Sequence, residues 1–213
     1  MTAVIAAVFF DFGGVILSSP FDAFASYEQR SGLPAGFLRR LNSTNPDTNA
    51  WARLERSEVS LAEFAEIFEQ EALDLGHRVD GGAVLQCLRG ELRPQMVSCV
   101  EQCFELFTTV LVTNNFVTTE EGTGVGARHR PQVLDSFHHV VESSKVGVRK
   151  PDVAFYALAC EIASVEPSEV VFLDDLGVNL KPARALGMTT VKVSDPDVAI
   201  KELGEVLGID FAR

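Results

Sequence analysis

The feature that most constrains this chain is a short, unbroken apolar run, Val4 to Phe10, that stops at Asp11 and the Gly13-Gly14 pair. A run this short, rich in β-branched and aromatic residues and closed by a turn signal, reads as a buried strand delivering a carboxylate to a tight turn. Similar runs recur at Thr109 to Val112, His139 to Val141, Val170 to Leu173 and Thr190 to Val193, and helical text separates most of them. Strands alternating with helices predict a parallel sheet covered on both faces, with ligands bound outside the carboxyl ends of the strands. Three of the runs end in polar residues: Asp11, Thr113 with Asn114, and Asp174 with Asp175. One edge of one sheet would collect them all.

Between the first two runs, Ser18 to Thr108 carries little strand signal. A first helix is expected from Ser19 and Pro20 through Phe21, Phe24 and Tyr27, stopping near Gly32. Ser60 with Glu63 forms a capping box ahead of Leu61, Phe64, Ile67, Phe68 and Leu73. A further helix is expected over Gly82 to Leu88, and Pro94 opens one through Val97, Val100 and Phe104 back to the sheet. Leu33 to Leu54 is weakly patterned. The fold class expected is therefore α/β, a Rossmann-like parallel sheet of about five strands flanked by helices, with an inserted helical cap. The domain division is 1–17 with 95–213 for the core and 18–94 for the cap. Later in the chain, Pro151 to Ala163 and Leu180 to Leu186 read as helices, the second stopped by Gly187.

Composition narrows the function classes. Eighteen basic against thirty acidic residues give a net charge of −12, which repels nucleic-acid backbones and anionic membrane surfaces. No nucleic-acid or membrane partner is expected, although a few aimed donors can still bind a local anion. Met1 to Phe10 lacks the basic region, cleavage site and length of a targeting or spanning segment. Cys87, Cys99, Cys103 and Cys160 have no CxxC spacing and sit in apolar helical text, so reduced, buried thiols are expected. A cytoplasmic protein is expected, and the sequence leaves monomer or homodimer open. Gly122, Gly124 and Gly126 lack a preceding strand and a following P-loop Lys-Ser/Thr, and read as a turn.

Several residues can carry chemistry. Asp11, at the end of a hydrophobic strand, is expensive to bury without a cation or hydrogen bonds, so it is a candidate nucleophile or metal ligand; the alternative is a carboxylate that caps the following turn. Asp174 and Asp175 repel each other unless a metal or proton intervenes. The three acids together suggest Mg²⁺, a hard ion that takes oxygen ligands and keeps waters. Asn179, four residues after Asp175, can orient a metal-bound water or a ligating carboxylate. Lys150, ahead of Pro151, can neutralise Asp11 and a phosphoryl oxygen, or can be an ordinary loop lysine. Thr113 and Asn114 can donate hydroxyl and backbone N–H bonds to an anion, or can serve as turn residues.

The order and spacing of these groups resemble the haloacid dehalogenase (HAD) superfamily over most of the chain. Phe10-Asp11-Phe12-Gly13-Gly14-Val15 resembles its first motif, Thr113-Asn114-Asn115 its second, Lys150-Pro151 its third, and Phe172-Leu173-Asp174-Asp175 with Asn179 its fourth. The stretch from Pro167 to Gly187 is similar to the N-terminal phosphatase domain of mammalian soluble epoxide hydrolase and to related bacterial phosphatases. The resemblance implies Asp11 as nucleophile, Thr113 and Asn114 as phosphate-binding residues, Lys150 as the charge partner, and Mg²⁺ held by Asp11, Gly13, Asp174 and Asp175. It implies hydrolysis of a small phosphorylated metabolite through an aspartyl-phosphate. No α/β-hydrolase nucleophile is expected beside it, so epoxide hydrolysis is not.

One position departs from that pattern. Family phosphatases usually carry a second Asp two residues after the nucleophile, as acid and base; here it is Gly13. Losing such a group typically removes about 10²- to 10⁴-fold in rate. The alternatives are a non-catalytic phosphometabolite-binding or regulatory HAD-like protein and a haloacid dehalogenase, whose halide needs no general acid. The Asp174-Asp175 pair argues against the dehalogenase, because similar dehalogenases work without Mg²⁺. For the leaving group, Phe21, Phe24, Tyr27 and Trp51, with Arg53, Arg56 and Arg128, are candidate contacts.

Overall fold

The computed structural model describes residues 4–115 and 133–211. Its centre is a parallel sheet of five strands: β1 (Ala7–Phe10), β2 (Thr108–Thr113), β3 (His139–Glu142), β4 (Val170–Asp174) and β5 (Thr189–Lys192). The spatial order is β3-β2-β1-β4-β5, with every neighbouring pair parallel. The first strand is thus central. Alternate residues explain why it is apolar throughout: Val8 and Phe10 enter the core on one face of the sheet, while Ala7 and Phe9 enter the core on the other.

Helices cover both faces. On the Val8 side lie α6 (Pro94–Phe104), through Met96, Cys99 and Val100, and α10 (Pro196–Leu207), through Ala199 and Leu203. On the Phe9 side lie α8 (Val153–Ala163), through Phe155 and Tyr156, and α9 (Gly177–Ala185), through Leu180 and Ala183. A short helix, α7 (Ser143–Val146), follows β3 directly. No helix among the described residues is long and apolar enough to cross a membrane.

Between β1 and α6 the chain forms α1 (Phe21–Ser31), α2 (Phe37–Ser43), α3 (Ala50–Glu55), α4 (Leu61–Asp74) and α5 (Gly81–Gln86). This inserted helical region has its own apolar cluster, including Phe24, Phe37, Trp51, Phe64 and Phe68. The capping box of α4 is present as read, with Ser60 and Glu63 bonded reciprocally. A buried carboxylate, Glu28, accepts from the N–H groups of Gly36 at 2.7 Å and Leu38 at 2.8 Å, satisfying donors at the start of α2. The two connections to the insert run side by side: Ser18 N–H donates to Glu91 O at 2.8 Å, and Arg93 N–H to Ile16 O at 2.9 Å.

Several sequence expectations shift. The first strand starts at Ala7, not Val4, which is 84% exposed; the paired register begins where Thr108 and Val170 supply partners. The last strand runs one residue earlier than read, and α9 begins at Gly177, before Leu180. Helix α8 starts after Pro151, because the Asp152 side chain caps it by accepting from Ala154 N–H at 2.9 Å. All four cysteines are free, but Cys87 is only half-buried. Phe24, Tyr27 and Trp51 lie in the insert's own buried core. A small helical unit without a sheet must bury its largest side chains internally. Gly122, Gly124, Gly126 and Arg128 lie outside the described residues.

Candidate active site

The register sets the site. Phe10 lies level with Leu173, and Asp11 N–H donates to Leu173 O at 2.9 Å, so Asp11 and Asp174 leave the sheet side by side. Asp11 is 8% exposed, and its Oδ1 accepts from Phe12 N–H at 2.7 Å. The turn-capping role read as an alternative is therefore present. It does not exhaust the residue, because the same oxygen lies 2.8 Å from Lys150 Nζ.

Lys150 is buried, with its ammonium between Asp11 and Asp174, 2.7 Å from Asp174 Oδ2. It is not a loop lysine in solvent. Burial works against its charge, but Asp11 and Asp174 outweigh that and hold its pKa above the ordinary lysine value. Asp174 is fully buried, and its acceptor sites are heavily used. Oδ1 receives Leu176 N–H at 2.8 Å and Asn179 Nδ2 at 3.1 Å, while Oδ2 receives Lys150 and Asn179 Nδ2 at 3.0 Å. Asn179 itself is held by the chain below it, since its carbonyl accepts from Tyr156 OH at 2.7 Å.

Asp175 is half-buried and lies over the turn that follows Asp11. Gly14 has φ +78°, and a Cβ there would sit 2.2 Å from Asp175 Oδ2. Only glycine meets both demands, the left-handed backbone and the close approach. The turn is further tied by Arg93, whose Nη1 donates to Gly14 O at 2.6 Å.

The ligand oxygens of Asp11, Asp174 and Asp175 lie within 4.8 Å of one another. Burial pushes the Asp11 carboxyl up to about 8, with Lys150 opposing and the two neighbouring acids adding to the rise. Burial, with Asp174, likewise pushes Asp175 up to about 6. Fully ionised, three carboxylates around one ammonium would leave an excess of negative charge in a buried place, which a cation would relieve, and the donors are all hard oxygens. That set fits a small divalent cation such as Mg²⁺.

At the end of β2, Thr113 is buried, and its hydroxyl makes one long bond, 3.4 Å, to Asn114 O. The Asn114 side chain clamps the third motif: Oδ1 accepts Lys150 N–H at 2.9 Å, and Nδ2 donates to Lys150 O at 3.0 Å. Asn115 braces the same corner, its amide oxygen accepting from Ser144 Oγ at 2.8 Å. Asp11, Thr113, Asn114, Lys150, Asp174, Asp175 and Asn179 thus gather at the carboxyl edge of the sheet. Arg53 and Arg56 do not contribute to that cluster; Arg56 is paired with Glu58, at 2.6 Å.

Sequence reasoning passed over Glu55 and Arg93. Glu55, the last residue of α3, accepts from Asn114 Nδ2 at 3.1 Å and pairs with Arg149 Nε at 2.7 Å. Neither residue stands in a recognisable motif. Their signal is positional, one ending an insert helix and the other at the insert's return to the core.

The model of the haloacid dehalogenase-like hydrolases matches residues 5–187, and the chain belongs to that family. It is a HAD-like hydrolase by fold and by its aspartate cluster. Among individual proteins it is 31% identical over 219 residues to bifunctional epoxide hydrolase 2 of Sus scrofa, covering 97% of this chain and 40% of that protein. The chain therefore spans less than half of that relative's length. A HAD-family enzyme from Bacteroides thetaiotaomicron, solved with magnesium and inorganic phosphate, shares the fold with a TM-score of 0.60 and 18% identity, over 88% of this chain and 93% of that one. L-2-haloacid dehalogenase from Xanthobacter autotrophicus shares it equally, at 0.60 and 18%, over 99% and 85%. Likeness at this level speaks for the fold and does not choose between the two chemistries.

Proposed function

We propose that the chain is a Mg²⁺-dependent phosphomonoester hydrolase acting on a small phosphorylated metabolite through an aspartyl-phosphate. The observation that carries this reading is the buried Asp11–Lys150–Asp174 bridge with Asp175 beside it, at the carboxyl edge of the sheet. The reading is compatible with the fold, which in the Bacteroides thetaiotaomicron enzyme holds magnesium and inorganic phosphate.

The steps follow from the groups in place. The free oxygen of Asp11 attacks the phosphorus while Lys150 offsets charge on the phosphoryl oxygens. The P–O bond to the alcohol breaks, and the departing alkoxide takes a proton from solvent, since Gly13 has no acid to give. Water then attacks phosphorus, giving its proton to solvent or the phosphoryl oxygens, and the P–O bond to Asp11 breaks, releasing inorganic phosphate and restoring the Asp11 carboxylate. The Thr113 hydroxyl and the Asn114 backbone N–H serve as donors to the phosphoryl oxygens. Asp11, the Gly13 carbonyl and Asp175 would hold Mg²⁺, while Asp174, its lone pairs engaged by Lys150, Asn179 and Leu176, fixes Lys150 and backs the metal shell. When bound, Mg²⁺ supplies charge stabilisation on the transferring group. We place the core at 1–17 with 95–213 and the cap at 18–94, and a cytoplasmic setting suits the four free thiols.

Gly13 favours a second reading, a binding protein that keeps the fold and the metal site without efficient turnover. Phosphate release from a panel of phosphomonoesters, with Mg²⁺ or EDTA, separates the two. The phosphatase releases phosphate only with Mg²⁺; folded protein that binds phosphometabolites yet releases none belongs to the second reading.

A further inference from the structure

We propose that Glu55 is a positioning residue through which the inserted helical region sets the place of Lys150. The path is a short series of direct contacts. The Glu55 carboxylate receives Asn114 Nδ2 at 3.1 Å; Asn114 grips both the N–H and the carbonyl of Lys150, at 2.9 and 3.0 Å; and Lys150 Nζ sits 2.8 Å from Asp11. The same carboxylate pairs with Arg149, the residue before Lys150, at 2.7 Å, and Arg149 in turn donates to Pro46 O of the insert at 3.0 Å. One insert carboxylate thus holds the lysine segment from two directions.

The chemistry requires a carboxylate at this place. Its Oε2 accepts from the Asn114 amide and carries the charge that pairs with the Arg149 guanidinium. Both contacts fall on one oxygen, Oε2, so a glutamine keeps an acceptor for Asn114 but loses the charge that pairs with Arg149. The contact is largely shielded, with the Glu55 side chain 17% and the Arg149 side chain 19% exposed, so it is screened less than a surface ion pair. A displacement of about 1 Å in a charged group aimed at the reacting atoms can lower a rate roughly 10²-fold.

This inference rests on the phosphatase reading where turnover is the readout, so the test has two arms. In the first, Glu55→Gln and Glu55→Ala are assayed with acetyl phosphate, too small to need an insert pocket, alongside Glu55→Asp. Loss of kcat of about tenfold or more in Gln and Ala, partly rescued in Asp, with Mg²⁺ affinity and melting temperature close to wild type, is expected. Ser57→Ala removes a different contact between insert and core, Ser57 Oγ to Ser144 O at 3.1 Å, and should leave kcat unchanged. In the second arm, amine acylation followed by peptide mass spectrometry reads how well Lys150 is shielded, with no turnover needed. Lys150 should be protected in wild type and Ser57→Ala, and labelled several-fold more in Glu55→Ala. If wild type releases no phosphate but the labelling changes as stated, the phosphatase reading falls and the positioning role stands. Unchanged kcat together with unchanged labelling would overturn the role, as would equal losses in Ser57→Ala.

Discussion

At the residue scale the site is a problem in compensating buried charge. Asp11 and Asp174 tolerate burial because one ammonium lies within 2.8 Å of each, and removal of one partner from such a group typically costs about 3–5 kcal/mol. Gly14 is the less obvious requirement, combining φ +78° with an approach that leaves no room for a Cβ beside Asp175. Gly14→Ala should therefore displace Asp175 and strain the turn, destabilising the protein by about 1–3 kcal/mol and weakening Mg²⁺ binding. Urea unfolding and Mg²⁺ titration check this, and a variant as stable and as tight as wild type would show that the turn relaxes freely. Asp11, Asp174, Asp175 and Lys150 were legible in the sequence, because each stands at the end of a recognisable run or in a motif. The environment of each was not. That Asp174 spends its oxygens on Lys150, Asn179 and Leu176, while Asp175 faces the Gly14 turn, depends on backbone directions that spacing does not encode.

At the scale of elements, the strands were readable since both faces of the sheet are buried, which writes each strand as a continuous apolar run. Helix starts were readable where a cap is local, as at Ser60. They were displaced where the capping residue lies past a proline, as at Asp152. Helices α2 and α3 were illegible because they are short and part of what holds them is distant in sequence: Glu28 caps α2 from α1, and Glu71 Oε1 accepts Ala50 N–H at the start of α3, at 2.8 Å. Glu28→Ala would leave two N–H groups without their charged acceptor and should cost about 1.5–3 kcal/mol. Trp51, the single tryptophan, lies in the same insert, so urea unfolding followed by its fluorescence reports the change directly. A midpoint unchanged from wild type would mean that water replaces the carboxylate at no cost. Phe24, Tyr27 and Trp51, candidate leaving-group contacts by sequence, illustrate the ambiguity of a helical stripe: the same periodicity serves a binding face or a core, and here all three lie in the insert's core.

For the whole molecule, the strand order explains why one edge does the chemistry. With β1 central, β2 on one side and β4 on the other, the chain ends of three strands bring Asp11, Thr113 and Asp174 together, and the segment after α7 returns Lys150 between them. The insert leaves the core just after Asp11 and comes back through Arg93, which is bonded to the Gly14 carbonyl. Sheet and insert therefore meet at the candidate nucleophile. In the proposed reaction Asp11 takes the phosphoryl group. The most direct measurement is an acid-quenched single turnover of a radiolabelled phosphomonoester with Mg²⁺, followed by peptide mapping. Label is expected on the peptide carrying Asp11, lost with EDTA and in Asp11→Asn. Phosphate released at a normal rate by Asp11→Asn, or label on another residue, would contradict that role.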